Sequence, residues 1–139
     1  MTDAQHMLIA QEGMELKPYV DTVGKLTVGV GRNLTDKGLS REEALMLLNN
    51  DLCDAIDDVR HNFSCYDTLS RPRQLVLISL AFNLGRVGLS RFVRFIGSVH
   101  LGHYDEAADH LLDSLAAKQA PARYHQLAQM MRENTSLWV

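Results

Sequence analysis

Two carboxylates and a hydroxyl near the start of the chain have types and spacing suited to acid–base chemistry. They are Glu12, Asp21 and Thr27, within QEGMELKPYVDTVGKLTVGVGRNL, residues 11–34. Glycoside cleavage asks for such a set. One carboxylic acid gives its proton to the leaving oxygen, and a second carboxylate attacks the sugar carbon or activates a water for it. The two surroundings must hold the acids in opposite protonation states, and a hydroxyl beside the second can help hold the water. Each residue also has an ordinary explanation: Glu12 as a surface glutamate, Asp21 as a turn residue bonding its own backbone, Thr27 as a strand former. The nine-position gap between the acids spans roughly 30 Å when extended, so only the fold can set their separation.

The elements that must position these groups follow from local pattern. Asp3 can cap a first helix carrying Ala4, Met7 and Leu8, which Gly13 stops just after Glu12. A β-hairpin comes next: Pro18-Tyr19-Val20 leads in, Asp21-Thr22-Val23-Gly24 turns, and Lys25–Val30 returns. On the return strand Leu26, Val28 and Val30 share one face; Thr27, Gly29 and Gly31 share the other. Glycine in a strand often marks close approach of a ligand or backbone, so Gly29 and Gly31 would keep that face low.

Ser40-Arg41-Glu42-Glu43 is a capping box ahead of Leu45, Leu48, Leu52, Ala55, Ile56 and Val59 at helical spacing, a helix of about 20 residues. Ser70 and Pro72 open another helix, which Gly85 ends. Its centre, LVLISLAFNL, is apolar almost all round, the mark of a buried bundle helix. Shorter helices are expected over 89–100, over 104–115 and from Pro121, with Trp138 near the chain end. The fold class is therefore α+β, mostly α. One domain over 1–139 would comprise a small N-terminal lobe with a β-hairpin (12–38), a long connecting helix (40–60) and a helical C-terminal lobe (66–139), with a cleft between the lobes.

The chain has 139 residues, 46% of them hydrophobic, and a formal charge of −3. Its acidic balance and lack of a basic recognition helix argue against nucleic acid as a partner. Acids gather in the first third and arginines (Arg60, Arg71, Arg73, Arg86, Arg91, Arg94) in the middle. That pattern fits solvated helix faces or a basic wall for an anionic ligand. Cys53 and Cys65 are not spaced as a zinc site and read as free thiols. No metal or cofactor is expected, no signal peptide is read at the start, and no run is long enough to span a bilayer.

The frame EGxxLKPYxDTxGxxTVGxG resembles the catalytic signature of the phage T4 lysozyme family of endolysins. The resemblance extends through YDTLSRPRQLVLISLAFNLGRVGLSRF (66–92), YDEAADHLLDS (104–114) and QAPAR (119–123), in the family's order. It implies a lysozyme-like fold and a muramidase that hydrolyses the β-1,4 bond between N-acetylmuramic acid and N-acetylglucosamine in peptidoglycan, with inversion. Glu12 would be the general acid, Asp21 the second carboxylate, and Thr27 would help place the water. Arg123 matches an arginine that pairs with the catalytic glutamate. Phe82 and Asn83 match substrate-contacting positions, with core packing the competing explanation for Phe82. Asn33, Phe95 and His110 stand at substrate positions but differ in residue type. Arg32 replaces a histidine of a structural ion pair, and Gln11 replaces an acid. The expected protein is a monomer held in the host cytoplasm until a holin releases it to the periplasmic cell wall. Competing readings are a lytic transglycosylase, a non-catalytic peptidoglycan-binding domain on the same scaffold, and a helical DNA-binding domain.

Overall fold

Helix α1 (Asp3–Glu12) starts where the first orphan N–H groups find partners. Thr2, not Asp3, is the N-cap: its hydroxyl accepts from Gln5 N–H, and the Gln5 side chain accepts from Thr2 N–H. This reciprocal pair satisfies two donors, whereas an Asp3 cap would satisfy one. Asp3 becomes the first helical residue, where its charge suits the helix dipole. Gly13 closes the helix at φ 77°. The computed structural model describes residues 1–137; Trp138 and Val139 lie outside the described residues.

Three antiparallel strands follow in the order β1 (Glu15–Val20), β2 (Leu26–Gly29), β3 (Arg32–Asn33). The expected hairpin is thus a three-stranded sheet, with Pro18 on an edge strand, where its missing N–H costs no ladder bond. Gly29 and Gly31 do not both stand on a strand face. Gly29 ends β2, paired with Glu15 of β1, whereas Gly31 lies past Val30 in the turn to β3, since Val28 already pairs with Arg32. Both have positive φ, 69° and 67°, which glycine adopts without strain.

The chain divides into two compact units, residues 1–47 and 48–139, and the division falls inside α2 (Arg41–Asn62). The Ser40/Glu43 capping box is present in both directions, at 3.1 and 2.9 Å. The same Glu43 carboxylate takes Arg32 in a two-pronged pair at 2.8 and 2.7 Å, and Arg32 also donates to the Gly38 carbonyl.

The apolar core lies in the second unit; among the described residues, no apolar side chain of the first unit is buried. The main core helix, α3 (Arg71–Ser90), is broken at Gly85 (φ 73°, ψ 177°), where the sequence predicts its end. Val76, Leu77 and Leu80 from α3 pack with Phe95 and Val99 of α4 (Val93–His100), Leu111 of α5 (Tyr104–Leu112), and Met130 and Met131 of α7 (Pro121–Glu133). Burying each such side chain contributes roughly 1.5–3 kcal/mol. The stretch expected as one helix over 104–115 ends at Leu112. Ser114 then caps a separate short helix, α6 (Leu115–Gln119), by accepting from Ala117 N–H. The helix expected over 89–100 begins at Val93, because 86–90 belong to the turn of helix after Gly85. Arg73 fastens α3 to α7: it donates to the Met131 carbonyl at 2.8 Å and lies 3.7 Å over the Tyr104 ring. Cys53 and Cys65 are free thiols. No single described helix is long and apolar enough to cross a membrane.

Two outcomes follow. Arg32, helped by Ser40, holds the Glu43 carboxyl down to about 2, against ~4.3 for an unperturbed glutamate. Its folded value lies below its unfolded one. The stabilisation is therefore complete above the unfolded value and lost as pH falls through about 2. Glu43→Gln is expected to flatten the fall of melting temperature across that acid window; an unchanged slope would show that the pair does not couple to folding. In α7, the buried Tyr124 hydroxyl has no partner, and burial pushes its ionisation upward. Tyr124→Phe is expected to stabilise the chain by about 1 kcal/mol, read by denaturant unfolding; destabilisation would overturn this.

Candidate active site

Three of the sequence-derived residues, Glu12, Asp21 and Thr27, lie in the first unit, and the local backbone aims each of them. Glu12 is the last residue of α1. It has no hydrogen-bond or ion-pair partner within its own unit among the described residues. Its side chain runs beside Gly31: a methyl group at that glycine would lie 3.4 Å from Glu12 Oε2. Gly31 therefore meets the positive φ of the loop, and a Cβ there would sit in ordinary contact with the carboxylate.

Asp21 is a turn residue bonding its own backbone, as its type suggests. Its Oδ1 accepts from Val23 N–H at 2.9 Å and Lys25 N–H at 2.8 Å. The other carboxylate oxygen carries no hydrogen bond among the described residues. Turn geometry thus consumes one oxygen and leaves its neighbour open.

Thr27 is 4% exposed, while its strand neighbour Leu26 is 42% exposed. The strand buries its hydroxyl-bearing position more deeply than its aliphatic ones, the reverse of a simple amphipathic strand. Thr27 Oγ1 donates to the Lys25 carbonyl at 3.0 Å. A hydroxyl has one proton, so toward any further partner Thr27 is an acceptor. The Lys25 carbonyl also accepts from Asp21 N–H at 2.9 Å. One residue's backbone therefore ties the second acid to the hydroxyl from both ends.

The register adds residues that pattern alone did not assign. Thr27 pairs with Tyr19 on one side and Asn33 on the other, and paired residues point to the same face. Tyr19 was missed because its face depends on a register irregularity between Glu15 and Tyr19. The Asn33 amide is engaged at both ends with Asp36, at 3.0 Å each. It holds the 33–37 turn, which the Lys25–Asp36 ion pair closes at 3.1 Å.

The remaining residues lie in the second unit. Phe82 is 51% exposed, so core packing does not explain it. It borders a cavity of about 220 Å³ with Asp51, Asp54, Asp58 and Gly85, and Asp58 is paired with Arg86 at 3.0 Å. Asn83 beside it is exposed. Phe95 is 1% exposed and packs edge-on against Phe63 and Phe92; its ring belongs to the core. His110 borders a separate cavity of about 400 Å³. Arg123 is exposed in the first turn of α7.

A mostly helical α+β chain, with one acid ending a helix and a second at the turn of a small sheet, is of the lysozyme-like class. More particularly, residues 10–127 match the phage lysozyme family, and the chain belongs to it. Among curated relatives, it is 28% identical to the pre-baseplate central spike protein Gp5 of Enterobacteria phage T4, over 84% of this chain and 25% of that protein. It is 23% identical to probable T4-type lysozyme 2 of Dictyostelium discoideum, over 97% of this chain and 96% of that one. The chain thus spans about a quarter of the spike protein and nearly all of the second relative.

Gly31→Ala tests the contact between loop and acid. It forces a positive φ on a side-chain-bearing residue and brings a methyl group into contact with Glu12. The expected result is a stability loss of about 1 kcal/mol together with reduced activity; full activity would show that Glu12 needs no such space.

Proposed function

We propose that the chain is a lysozyme that hydrolyses the β-1,4 bond between N-acetylmuramic acid and N-acetylglucosamine in bacterial peptidoglycan, with inversion at the anomeric carbon. The observation that carries this reading is the Lys25 backbone link. It leaves one Asp21 oxygen open and turns Thr27 into an acceptor. A water held by two acceptors donates both its protons and presents a lone pair outward. That is the orientation a nucleophilic water needs.

Glu12 then supplies the proton to the leaving glycosidic oxygen as the bond breaks. Asp21 takes the proton from the attacking water, which adds to the face opposite the leaving group. Inverting hydrolysis requires room for that water, with carboxyl groups roughly 6.5–9.5 Å apart. In this reading Phe82 and Asn83 contact substrate, and the part given to Arg123 rests on the family resemblance alone. Host lysis, with release from the cytoplasm to the periplasmic wall through a holin, completes the reading and rests on the family resemblance.

A lytic transglycosylase would share the substrate and consume no water, so Asp21 and Thr27 would have nothing to orient. Glu12→Gln is expected to lower turnover on purified peptidoglycan by about 10²–10⁴-fold with unchanged circular dichroism. Asp21→Asn should be similarly impaired. New reducing ends are the expected product; anhydromuramyl ends, or wild-type turnover by Glu12→Gln, would overturn the assignment.

A further inference from the structure

The three-stranded sheet sets one row of side chains on a single face. Tyr19 of β1 pairs with Thr27 of β2, and Thr27 pairs with Asn33 of β3, so the three point to the same side. Asp21 N–H bonds the Lys25 carbonyl at 2.9 Å, which carries the pairing on past Val20 and Leu26. By the period of two, Asp21 then shares the side of Tyr19. The opposite side is the open one: Val20 is 66% and Leu26 42% exposed, against 4% for Thr27. Around the Thr27 hydroxyl the flanks differ. Toward β3, the Asn33 amide is held by Asp36. Two residues along β2, Gly29 has no side chain, and a Cβ there would meet nothing within 4 Å. Toward β1 stands the half-buried Tyr19 ring, the largest side chain of the row, whose hydroxyl has no hydrogen-bond partner among the described residues.

In the hydrolase reading above, one water is held between the open oxygen of Asp21 and Thr27 Oγ1, with both its protons committed. Nothing in those two contacts limits the size of what occupies the place, because any small alcohol also has a proton for Asp21. A limit must come from bulk beside the pair. Side chains opposite each other on neighbouring strands have Cβ atoms about 4.5–5.5 Å apart, so a ring at Tyr19 rises beside the Thr27 hydroxyl and projects beyond it. Its carbon surface gives a water no competing hydrogen bond on that side. We propose that the Tyr19 ring is the side wall of the attacking-water site and restricts the nucleophile to water. Tyr19 is then a specificity-determining residue for the nucleophile, and the inference rests on the hydrolase reading. With the wall removed, an alcohol can take the water's place. Its oxygen bonds to the anomeric carbon opposite the leaving group, its proton passes to Asp21, and Glu12 protonates the leaving oxygen. The product is an α-glycoside of that alcohol in place of a reducing end.

The test is digestion of purified peptidoglycan in aqueous methanol by the intact chain, with the new chain ends identified by mass spectrometry and NMR. The wild type is expected to leave reducing ends. Tyr19→Ala is expected to raise the ratio of methyl α-glycoside to reducing ends by at least ~10-fold, with kcat reduced and KM little changed. A role confined to packing would lower the melting temperature without moving that ratio. Tyr19→Phe keeps the ring and is expected to keep the wild-type ratio. Should circular dichroism show that Tyr19→Ala does not fold, Tyr19→Leu shortens the wall and is expected to raise the same ratio. An unchanged ratio in the folded alanine or leucine variant, or a ratio raised equally in Tyr19→Phe, would overturn the proposal. The two readings fail separately. A wild-type chain that releases no reducing ends from walls in water loses the hydrolase; one that releases them, with a product ratio indifferent to substitution of Tyr19, keeps the hydrolase and loses the wall.

Discussion

The small unit depends on one carboxylate. Glu43 sits in the first turn of α2, where it accepts from Ser40 N–H and closes the capping box. The same group grips Arg32 of β3 with both oxygens, and Arg32 reaches the Gly38 carbonyl. The last strand, the loop after it and the start of the long helix therefore meet at a single ion pair. A unit with no buried apolar side chain has little hydrophobic burial to hold such a junction, so directed polar bonds do the holding. A two-pronged arginine–carboxylate pair suits that role because it fixes geometry as well as distance.

Much of the fold was legible because its signals are local. Gly13, the Ser40–Glu43 box, the break at Gly85 and the start at Pro121 each depend on residues within one turn of each other. The differences arise where two local signals compete or where pairing is remote. Thr2 and Asp3 can both cap a helix, and the reciprocal bond with Gln5 decides between them. Ser114 looks like a late residue of a long helix until its hydroxyl is seen to begin the next one. Strand β3 is two residues long, too short for any alternation to declare itself. Arg32 is explained only by a partner 11 positions away, which no periodicity links to it.

The candidate site was legible in its residue types and less so in their arrangement. Asp21 was readable as a turn former, and that turn is what leaves one of its oxygens open, so the ordinary explanation and the chemical one describe the same geometry. The burial of Thr27 ran against the strand pattern, because the buried face of this sheet carries the hydroxyl. Tyr19 required the register. Phe95, a position marked by family likeness, holds an aromatic ring packed in the core that also borders the cavity beside His110.

Lys25 joins Asp21 to Thr27 through its amide N–H and carbonyl, not through its ammonium, which is spent on Asp36. The contribution is therefore invisible to any survey that trims side chains one at a time. Replacing Lys25 by alanine leaves both backbone groups in place, and the position would be scored as dispensable. Only a change to the main chain itself, such as an ester in place of the amide, removes the donor that holds Asp21. In this small sheet the residue that ties Asp21 to Thr27 contributes no side chain to either, so variation in its identity carries little information about its importance.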